Sequence, residues 1–138
     1  MSANAVTGQV LYPGAAEGPL LKLTAPLSFW GGVDPASGEI ILGSHPERGR
    51  KIGGTVLALA DPIGSSSSSY VLLELIHQGC APAALLLGQP DAILIVGCLV
   101  AREMGYRVPP VLHVDRESLE ALPAGNAAVV DGEVRVSS

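Results

Sequence analysis

The serine-rich segment Gly64-Ser65-Ser66-Ser67-Ser68-Ser69-Tyr70 is the densest group of chemically useful side chains in this sequence. It lies between the apolar runs 55–60 and 71–76, so a strand is predicted to turn here into a helix. At such a turn, hydroxyl groups meet the backbone N–H groups that the first helical turn leaves unpaired. This arrangement suits a bound anion or a serine oxygen that carries negative charge. A flexible serine linker is the alternative, but no linker-like composition continues beyond Tyr70.

Ser65 follows Gly64 at the predicted corner, and either Ser65 or Ser66 is expected to be the N-cap of the helix. Capping alone would explain a serine at this position. The segment is not a nucleophile elbow, because no glycine follows at the required place. It also lacks the Gly-Lys-Ser/Thr ending of a phosphate-binding loop. The spacing therefore leaves a structural cap and a catalytic serine both open.

The histidines and cysteines do not form a metal-binding pattern. His45, His77 and His113 share no metal-ligand spacing, so a zinc site is not expected. Cys80 and Cys98 are too far apart for a metal-binding pair and lie among apolar residues. Buried free thiols are the expected state of both cysteines, and a disulfide is the minor alternative.

Length and composition predict a folded acidic protein with a single domain spanning residues 1–138. Hydrophobic residues make up 48% of the chain, and the formal net charge is −5. Without a basic stripe, a nucleic-acid partner is not expected. The first residues show no basic region followed by an apolar core, and no apolar run approaches ~20 residues. The cytoplasm is therefore the expected location, without membrane contact.

The elements before the serine segment are predicted to be strands and turns. Strands are expected at 7–11, 19–24 and 39–42, with a further apolar piece at 26–30. Asp34, in a Gly-Gly-Val-Asp-Pro sequence, is expected to form a turn. The first third of the chain is therefore β-rich.

The middle and the end of the chain predict an α/β fold. Strands at 55–60, 83–87 and 111–114 alternate with a helix that ends at Gly79 and another that ends at Gly105. Pro90 is placed at the first position of that second helix, and Asp91 in its first turn, although residues 93–96 taken alone could equally form a strand. Asp115 is expected to cap a brief helix. A hairpin over 127–136 turns at Asp-Gly. A central β-α-β-α-β unit with some parallel pairing and a C-terminal hairpin follow from this order.

Several motifs together resemble one known family. The segment Ser28-Phe29-Trp30-Gly31-Gly32-Val33-Asp34-Pro35-Ala36-Ser37-Gly38 is similar to Ser-Phe-x-Gly-Gly-Val-Asp-Pro-x-x-Gly of the aconitase X small subunit, or swivel domain. The Gly-Ser turn and the segments 69–75, 81–84 and 90–94 follow in the same order as in that family. The resemblance covers residues 7–114, and the combination is specific although each piece alone is weak.

The resemblance implies a swivelling β/β/α domain that closes over a larger iron–sulfur domain. Members of the family dehydrate cis-3-hydroxy-L-proline or mevalonate 5-phosphate. The family's catalytic serine follows the turn glycine, which places the general base at Ser65. This serine takes a proton from carbon, while the cluster of the large subunit binds the leaving hydroxyl. Gly64, Ser66 and Ser67 are then candidate substrate-binding residues.

The resemblance also implies a partner and a substrate. Two cysteines are too few for the three or four thiolates of an iron–sulfur cluster, so the large catalytic subunit must supply it. The leading interpretation is the small subunit of a two-chain hydro-lyase, inactive alone. Family members often carry Lys or Arg before the turn glycine, where this chain has Ile63. The absence of that cation argues against a phosphorylated substrate and, with the serine run, favours cis-3-hydroxy-L-proline.

Three alternatives remain open at this point. The chain could be the small subunit of a mevalonate 5-phosphate dehydratase. It could be a non-catalytic module that binds an anion or another ligand at the helix start near Ser65. It could also be a phosphohistidine carrier, which has a related swivelling architecture, although a serine run occupies the place of the reactive histidine.

Overall fold

The computed structural model describes residues 4–137; positions 1–3 and 138 of the expected domain lie outside this range. The described part contains eight strands and four helical segments. In chain order these are β1 (Ala5–Thr7), β2 (Gln9–Tyr12), β3 (Ala16–Leu23), α1 (Phe29–Gly32), β4 (Val56–Leu59), α2 (Ser68–Gln78), β5 (Ala84–Leu87), α3 (Ala92–Glu103), β6 (Val111–His113), α4 (Arg116–Ala121), β7 (Asn126–Val130) and β8 (Glu133–Ser137).

The strands follow the order β1-β8-β7-β3-β4-β5-β6-β2. Strands β3, β4, β5 and β6 are parallel neighbours. Strand β3 also pairs antiparallel with β7, and this pairing joins the parallel strands to the antiparallel strands β7, β8 and β1. Helices α2 and α3 supply the crossovers from β4 to β5 and from β5 to β6, and residues 24–55 connect β3 to β4. The predicted central β-α-β-α-β unit and the C-terminal hairpin are confirmed.

The parallel strands are buried on both faces, which creates two hydrophobic cores. Side chains alternate along a strand, so Leu57 and Leu59 of β4 share one core with residues of α2 and α3. Val56 and Ala58 join the other core, together with residues of α4, β7 and β8. An antiparallel layer, a parallel layer and a helical layer result. This is the β/β/α arrangement that the family resemblance implied.

Two strand predictions in the first third differ from the structure. The strand expected at 7–11 is divided at Gly8, whose N–H donates to Gly132 O at 2.8 Å, so β1 pairs with β8 and β2 with β6. The strand expected at 39–42 is wrong, since Ile40 takes part only in an isolated bridge. The Ile40 N–H donates to Arg50 O, and its carbonyl accepts from Gly49 N. The backbone of Ile40 is therefore paired with the nearby loop and not with a strand of the sheet.

The residues that begin or end the helices and form the hairpin turn agree with the prediction, except that the start of α3 is shifted. Gly79, with φ of 77°, ends α2 in the left-handed conformation that favours glycine. Asp131 and Gly132 both have positive φ, as a type I′ turn requires. Asp115 caps α4, and hydrogen bonds from Ser118 lower the pKa of its carboxyl group. Asp91 is the N-cap of α3 rather than a residue of its first turn, so Pro90 precedes the helix.

The turn after β5 allows a test of the packing between neighbouring parallel strands. A Cβ atom on Gly88 would lie 2.3 Å from Ala60 O, whereas one on Gly43 would meet no atom within 4 Å. Gly88→Ala is therefore expected to lower the free energy of unfolding by about 1–3 kcal/mol, as overpacking does. Gly43→Ala serves as the matched control and should change it little. Equal midpoints of the two variants in urea unfolding would contradict the close approach.

Candidate functional site at the start of helix α2

The loop that leads from β4 to the serine segment is held at its beginning by the chain before α1. Leu27 forms a parallel bridge with Pro62; its N–H donates to Asp61 O at 3.3 Å, and its carbonyl accepts from Ile63 N at 3.0 Å. The Asp61 carboxylate also pairs with the Arg116 guanidinium of α4. The backbone is therefore fixed directly before Gly64.

A tight turn precedes α2, and the helix begins one or two residues later than the sequence indicated. Ser65 O accepts a hydrogen bond from Ser68 N at 2.9 Å, so residues 65–68 form a turn before the helix. Ser67, rather than Ser65 or Ser66, occupies the N-cap position. Its backbone is already in the right-handed helical region, and its side chain makes no capping hydrogen bond. The predicted cap is therefore wrong.

The start of α2 differs from the starts of α3 and α4. Asp91 and Asp115 each cap their helix with a carboxylate, and Asp91 Oδ1 accepts from Ile93 N at 2.9 Å. At α2, the backbone N–H groups of Ser69 and Tyr70 have no partner among residues 4–137. The first turn of α2 also contains no acidic residue. Because a helix start has partial positive charge, this end of α2 attracts an anion or a developing negative charge.

The structure brings all four predicted site residues together in this turn. Ser65 and Ser67 are half-buried, and Gly64 and Ser66 are exposed. A Cβ on Gly64 would meet nothing within 4 Å, so the space before Ser65 is open. The Ser65 hydroxyl is therefore not enclosed in the hydrophobic core.

A second chain segment, which sequence reasoning did not assign to the site, lies beside the serine turn. The N–H of Trp30 donates to Ser68 Oγ at 3.3 Å, across 38 residues of sequence. Ser68 is the buried member of the serine run, with 1% of its surface exposed. No signal in five consecutive serines separates this residue from its neighbours, because their environments differ only in the folded chain.

A cleft of about 250 Å³ opens at the carboxyl ends of β3 and β4, next to this loop. Its lining includes Asp61 and Arg116, which pair with each other, and Lys22, which donates to Leu122 O at 2.6 Å. The charged groups of the cleft are thus committed to protein partners. Ser65 does not line it.

The three histidines and Asp34 are engaged in structural hydrogen bonds. His45 is 5% exposed and bonds to Ala25 O through Nε2, while its Nδ1 accepts from Glu47 N. His113 Nε2 bonds to Gly88 O, and His77 Nδ1 to the Tyr106 hydroxyl. Asp34 accepts from Ala36 N and from the Ser37 hydroxyl, which confirms its turn-forming role.

The cysteines of this chain do not fit an iron–sulfur cluster. Such clusters take three or four cysteine thiolates, and the sequence contains only Cys80 and Cys98. Both thiols are free, as expected, but Cys80 is only half-buried. Burial raises the pKa of Cys98 to about 12, which keeps it protonated. No group of three potential metal ligands occurs between residues 4 and 137.

The reactivity of the two thiols tests the burial of Cys98 and the partial burial of Cys80. In the native chain, Cys98 should not react with Ellman's reagent at pH 8, because a protonated and buried thiol is a poor nucleophile. Cys80 should react slowly, since partial burial and, secondarily, the Asp34 charge raise the pKa of its thiol. Both should react once guanidinium unfolds the chain. A fast-reacting thiol in native Cys80→Ala would contradict the burial of Cys98.

The geometry defines a class of protein: a β/β/α domain that presents a serine turn at an uncapped helix start. The sequence model of the aconitase X swivel domain matches residues 5–137. This chain therefore belongs to the aconitase X swivel-domain family, which confirms the resemblance seen in its motifs.

Curated relatives and a solved structure agree with this assignment. The chain is 42% identical over 134 residues to cis-3-hydroxy-L-proline dehydratase of Pseudomonas aeruginosa; the match covers 97% of this chain and 23% of that protein. It is 33% identical to the phosphomevalonate dehydratase small subunit of Methanocella arvoryzae, with 92% of each chain covered. Aconitase X of Thermococcus kodakaraensis, in its holo form, matches with a TM-score of 0.85 and 28% identity over 97% of this chain and 98% of that chain.

The relatives differ from this chain in length but share one reaction class in their names. The chain spans less than a quarter of the length of the hydroxyproline dehydratases that it matches. Both groups of relatives are named as dehydratases, so the family relationship connects this chain to hydro-lyases. In the described part of the chain, no helix is long and apolar enough to cross a bilayer.

Proposed function

We propose that this chain acts, as one swivel-type domain, in an aconitase X-type hydro-lyase that dehydrates cis-3-hydroxy-L-proline, with Ser65 as the general base. The main observation behind the proposal is the open serine turn at the start of α2. This helix start has no side-chain cap and no acidic residue in its first turn. The match to dehydratases over nearly the whole chain supports the reaction class.

The helix start explains how a serine can act as a base. A serine hydroxyl is a weak base, and its alkoxide needs strong stabilisation near neutral pH. The partial positive charge of α2 and the unpaired N–H groups of Ser69 and Tyr70 supply oriented donors at this point. Residues that stabilise developing charge without rearranging contribute most to catalysis.

The reaction assigned to Ser65 is the transfer of a proton from substrate carbon. The C–H proton passes to the Ser65 alkoxide, the C–H electron pair forms the new double bond, and the hydroxyl group leaves the adjacent carbon as hydroxide. That hydroxide and the proton taken up by Ser65 together make up the water that is eliminated. Gly64 and Ser66 are exposed in the same turn and Ser67 is half-buried there. These three residues bind the substrate, and the hydroxyls of Ser66 and Ser67 donate hydrogen bonds to its carboxylate. These contacts would hold the substrate carbon near Oγ.

A larger partner completes the active site. The serine turn lies on an open surface, and the cysteines of this chain do not fit the family's iron–sulfur cluster. The Methanocella relative is named a small subunit, and the Pseudomonas relative contains this region within a chain more than four times longer than the match. We infer that a large catalytic subunit binds the cluster and covers the serine turn, and that this chain alone is inactive.

The substrate preference rests on residue 63 and on sequence identity. Ile63, directly before the turn glycine, is 49% exposed and offers no charge to a phosphate. Identity to the hydroxyproline dehydratase of Pseudomonas is 42% over 134 residues, against 32% to 40% over 93 to 129 residues for the phosphomevalonate small subunits. Mevalonate 5-phosphate is the second candidate substrate, because the phosphomevalonate relative matches this chain over nearly its entire length.

Replacing Ser65 tests the proposed base. In the complex of this chain with its large partner, purified without oxygen, Ser65→Ala is expected to lower kcat for cis-3-hydroxy-L-proline by about a hundredfold or more, because proton abstraction by a positioned base contributes that much. Turnover is measured by following formation of the dehydrated product.

Two controls accompany this variant. Ser44→Ala removes a hydroxyl from an exposed loop and should leave turnover unchanged. The large partner should copurify with Ser65→Ala as it does with the unaltered chain. Turnover of Ser65→Ala within tenfold of the unaltered complex would exclude Ser65 as the base. Tight binding of hydroxy acids to the isolated chain, measured by calorimetry, would favour the ligand-binding module instead.

Residue 63 is expected to control the response to phosphate. Ile63→Lys places an ammonium group before the turn glycine and should lower KM for mevalonate 5-phosphate by about tenfold, as a charge-assisted hydrogen bond does. Ile63→Met is the matched control, because it keeps an uncharged side chain of similar size. Equal KM values for the two variants, measured on the same complex, would show that this position does not face the phosphate.

A further inference from the structure

Ser68 connects the turn that contains Ser65 to the chain segment that contains Trp30. Its N–H donates to Ser65 O at 2.9 Å, and its hydroxyl accepts from the Trp30 N–H at 3.3 Å. With 1% of its surface exposed, it has no access to a substrate. A serine in a first helical turn commonly bonds within its own helix, whereas the described partner of this hydroxyl lies 38 residues away.

The Trp30 segment is a turn with one buried and one open side. Trp30 (φ −74°, ψ 118°) and Gly31 (φ 81°, ψ −15°) have nearly the angles of the central residues of a type II turn. Phe29 is 2% exposed and anchors the turn in the core. On the open side, Trp30 is 55% exposed, and nothing lies within 4 Å of a Cβ on Gly31.

The hydrogen bond to Ser68 ties this turn directly to the start of α2. Phe29 anchors the turn in the hydrophobic core, and the hydrogen bond from the Trp30 N–H fixes the distance between this turn and Ser68. Ser69 makes a different kind of bond, because its hydroxyl donates to Ser66 O within the same turn. Of these two neighbouring serines, Ser68 is the one that joins the segments.

We propose that Ser68 is a positioning residue, which holds the Trp30–Gly31 turn in a fixed place beside the Ser65 turn. Its catalytic consequence rests on the proposed function, whereas its structural consequence does not. If the hydroxyl is removed, the Trp30 N–H loses its acceptor, and the two sides of the site can move independently. Small displacements of this kind reduce catalysis without removing any group that touches the substrate.

Amide hydrogen exchange of the isolated chain tests the structural part. In Ser68→Ala, the Trp30 N–H should exchange at least about tenfold faster, as expected when a protecting hydrogen bond is lost. Ser69→Ala is the matched control and should leave Trp30 exchange within about twofold. The N–H of Leu85, a fully buried residue of the central strand β5, donates to Pro110 O and reports whether global stability has changed. Unchanged Trp30 exchange in Ser68→Ala would overturn the proposal.

Kinetics of the complex with the large partner test the catalytic part. Ser68→Ala is expected to lower kcat by about tenfold while KM changes little, because the substrate-binding hydroxyls remain. Ser68→Thr keeps the hydroxyl and should restore both Trp30 protection and most of kcat. A residue that only stabilised the fold would lower the melting temperature and leave kcat per active complex unchanged.

The outcomes separate this proposal from the proposed function. If Ser65→Ala retains turnover, the assignment of the base fails whatever Ser68 does. If Ser65→Ala abolishes turnover while Ser68→Ala keeps normal kcat, the base stands and the positioning role is overturned. If both variants lose kcat and only Ser68→Ala loses Trp30 protection, both assignments are supported.

Discussion

The burial of β4 between β3 and β5 is the constraint on which the site depends. All four residues of β4 are buried, and the strand pairs in parallel with a neighbour on each side. A strand fixed by two ladders and two hydrophobic cores ends at a defined point. The loop beyond it is then tied to Leu27, so the serine turn begins from a rigid origin. Under the proposed function, this fixed origin places the Ser65 oxygen against one particular carbon–hydrogen bond.

Three helices begin at the carboxyl edge of the parallel strands, and only two of them are capped by an acidic side chain. The carboxylates of Asp91 and Asp115 satisfy and neutralise the starts of α3 and α4. Under the proposed function, a carboxylate at the start of α2 would compete with a substrate carboxylate or with a serine alkoxide for the same N–H groups. A run of neutral serines keeps the turn polar while leaving the helix charge available.

The open serine turn and the absence of enough thiols agree with the relatives in which this domain is one part of a larger assembly. Under the proposed function, this chain contributes one face of an active site, and the large partner contributes a second face. The Trp30–Gly31 turn and the α2 start would meet that second face together, since Ser68 holds them in one arrangement. Under the proposed function, the relative position of two loops on this chain matters as much as the serine itself.

Most of the fold could be predicted from sequence, because its signals are local. Apolar four-residue runs, Gly79 after the last helical residue, and Asp-Gly in the hairpin each act on their immediate neighbours. The strand predicted at 39–42 is absent because a strand needs a neighbouring strand to pair with. The backbone of Ile40 instead forms its hydrogen bonds with the nearby loop. The division of the first strand at Gly8 likewise depends on which distant strands accept each half.

The sequence by itself determined that a serine-rich turn stands between a buried strand and a helix, because hydrophobic periodicity and turn residues are local properties. It also determined the family, through motifs read in order. Only the tertiary structure decided that Ser67 is the helix cap, that Ser68 is buried, and that its hydroxyl reaches Trp30. Five identical side chains in a row differ only in what folds against them, and that depends on residues far away in the chain.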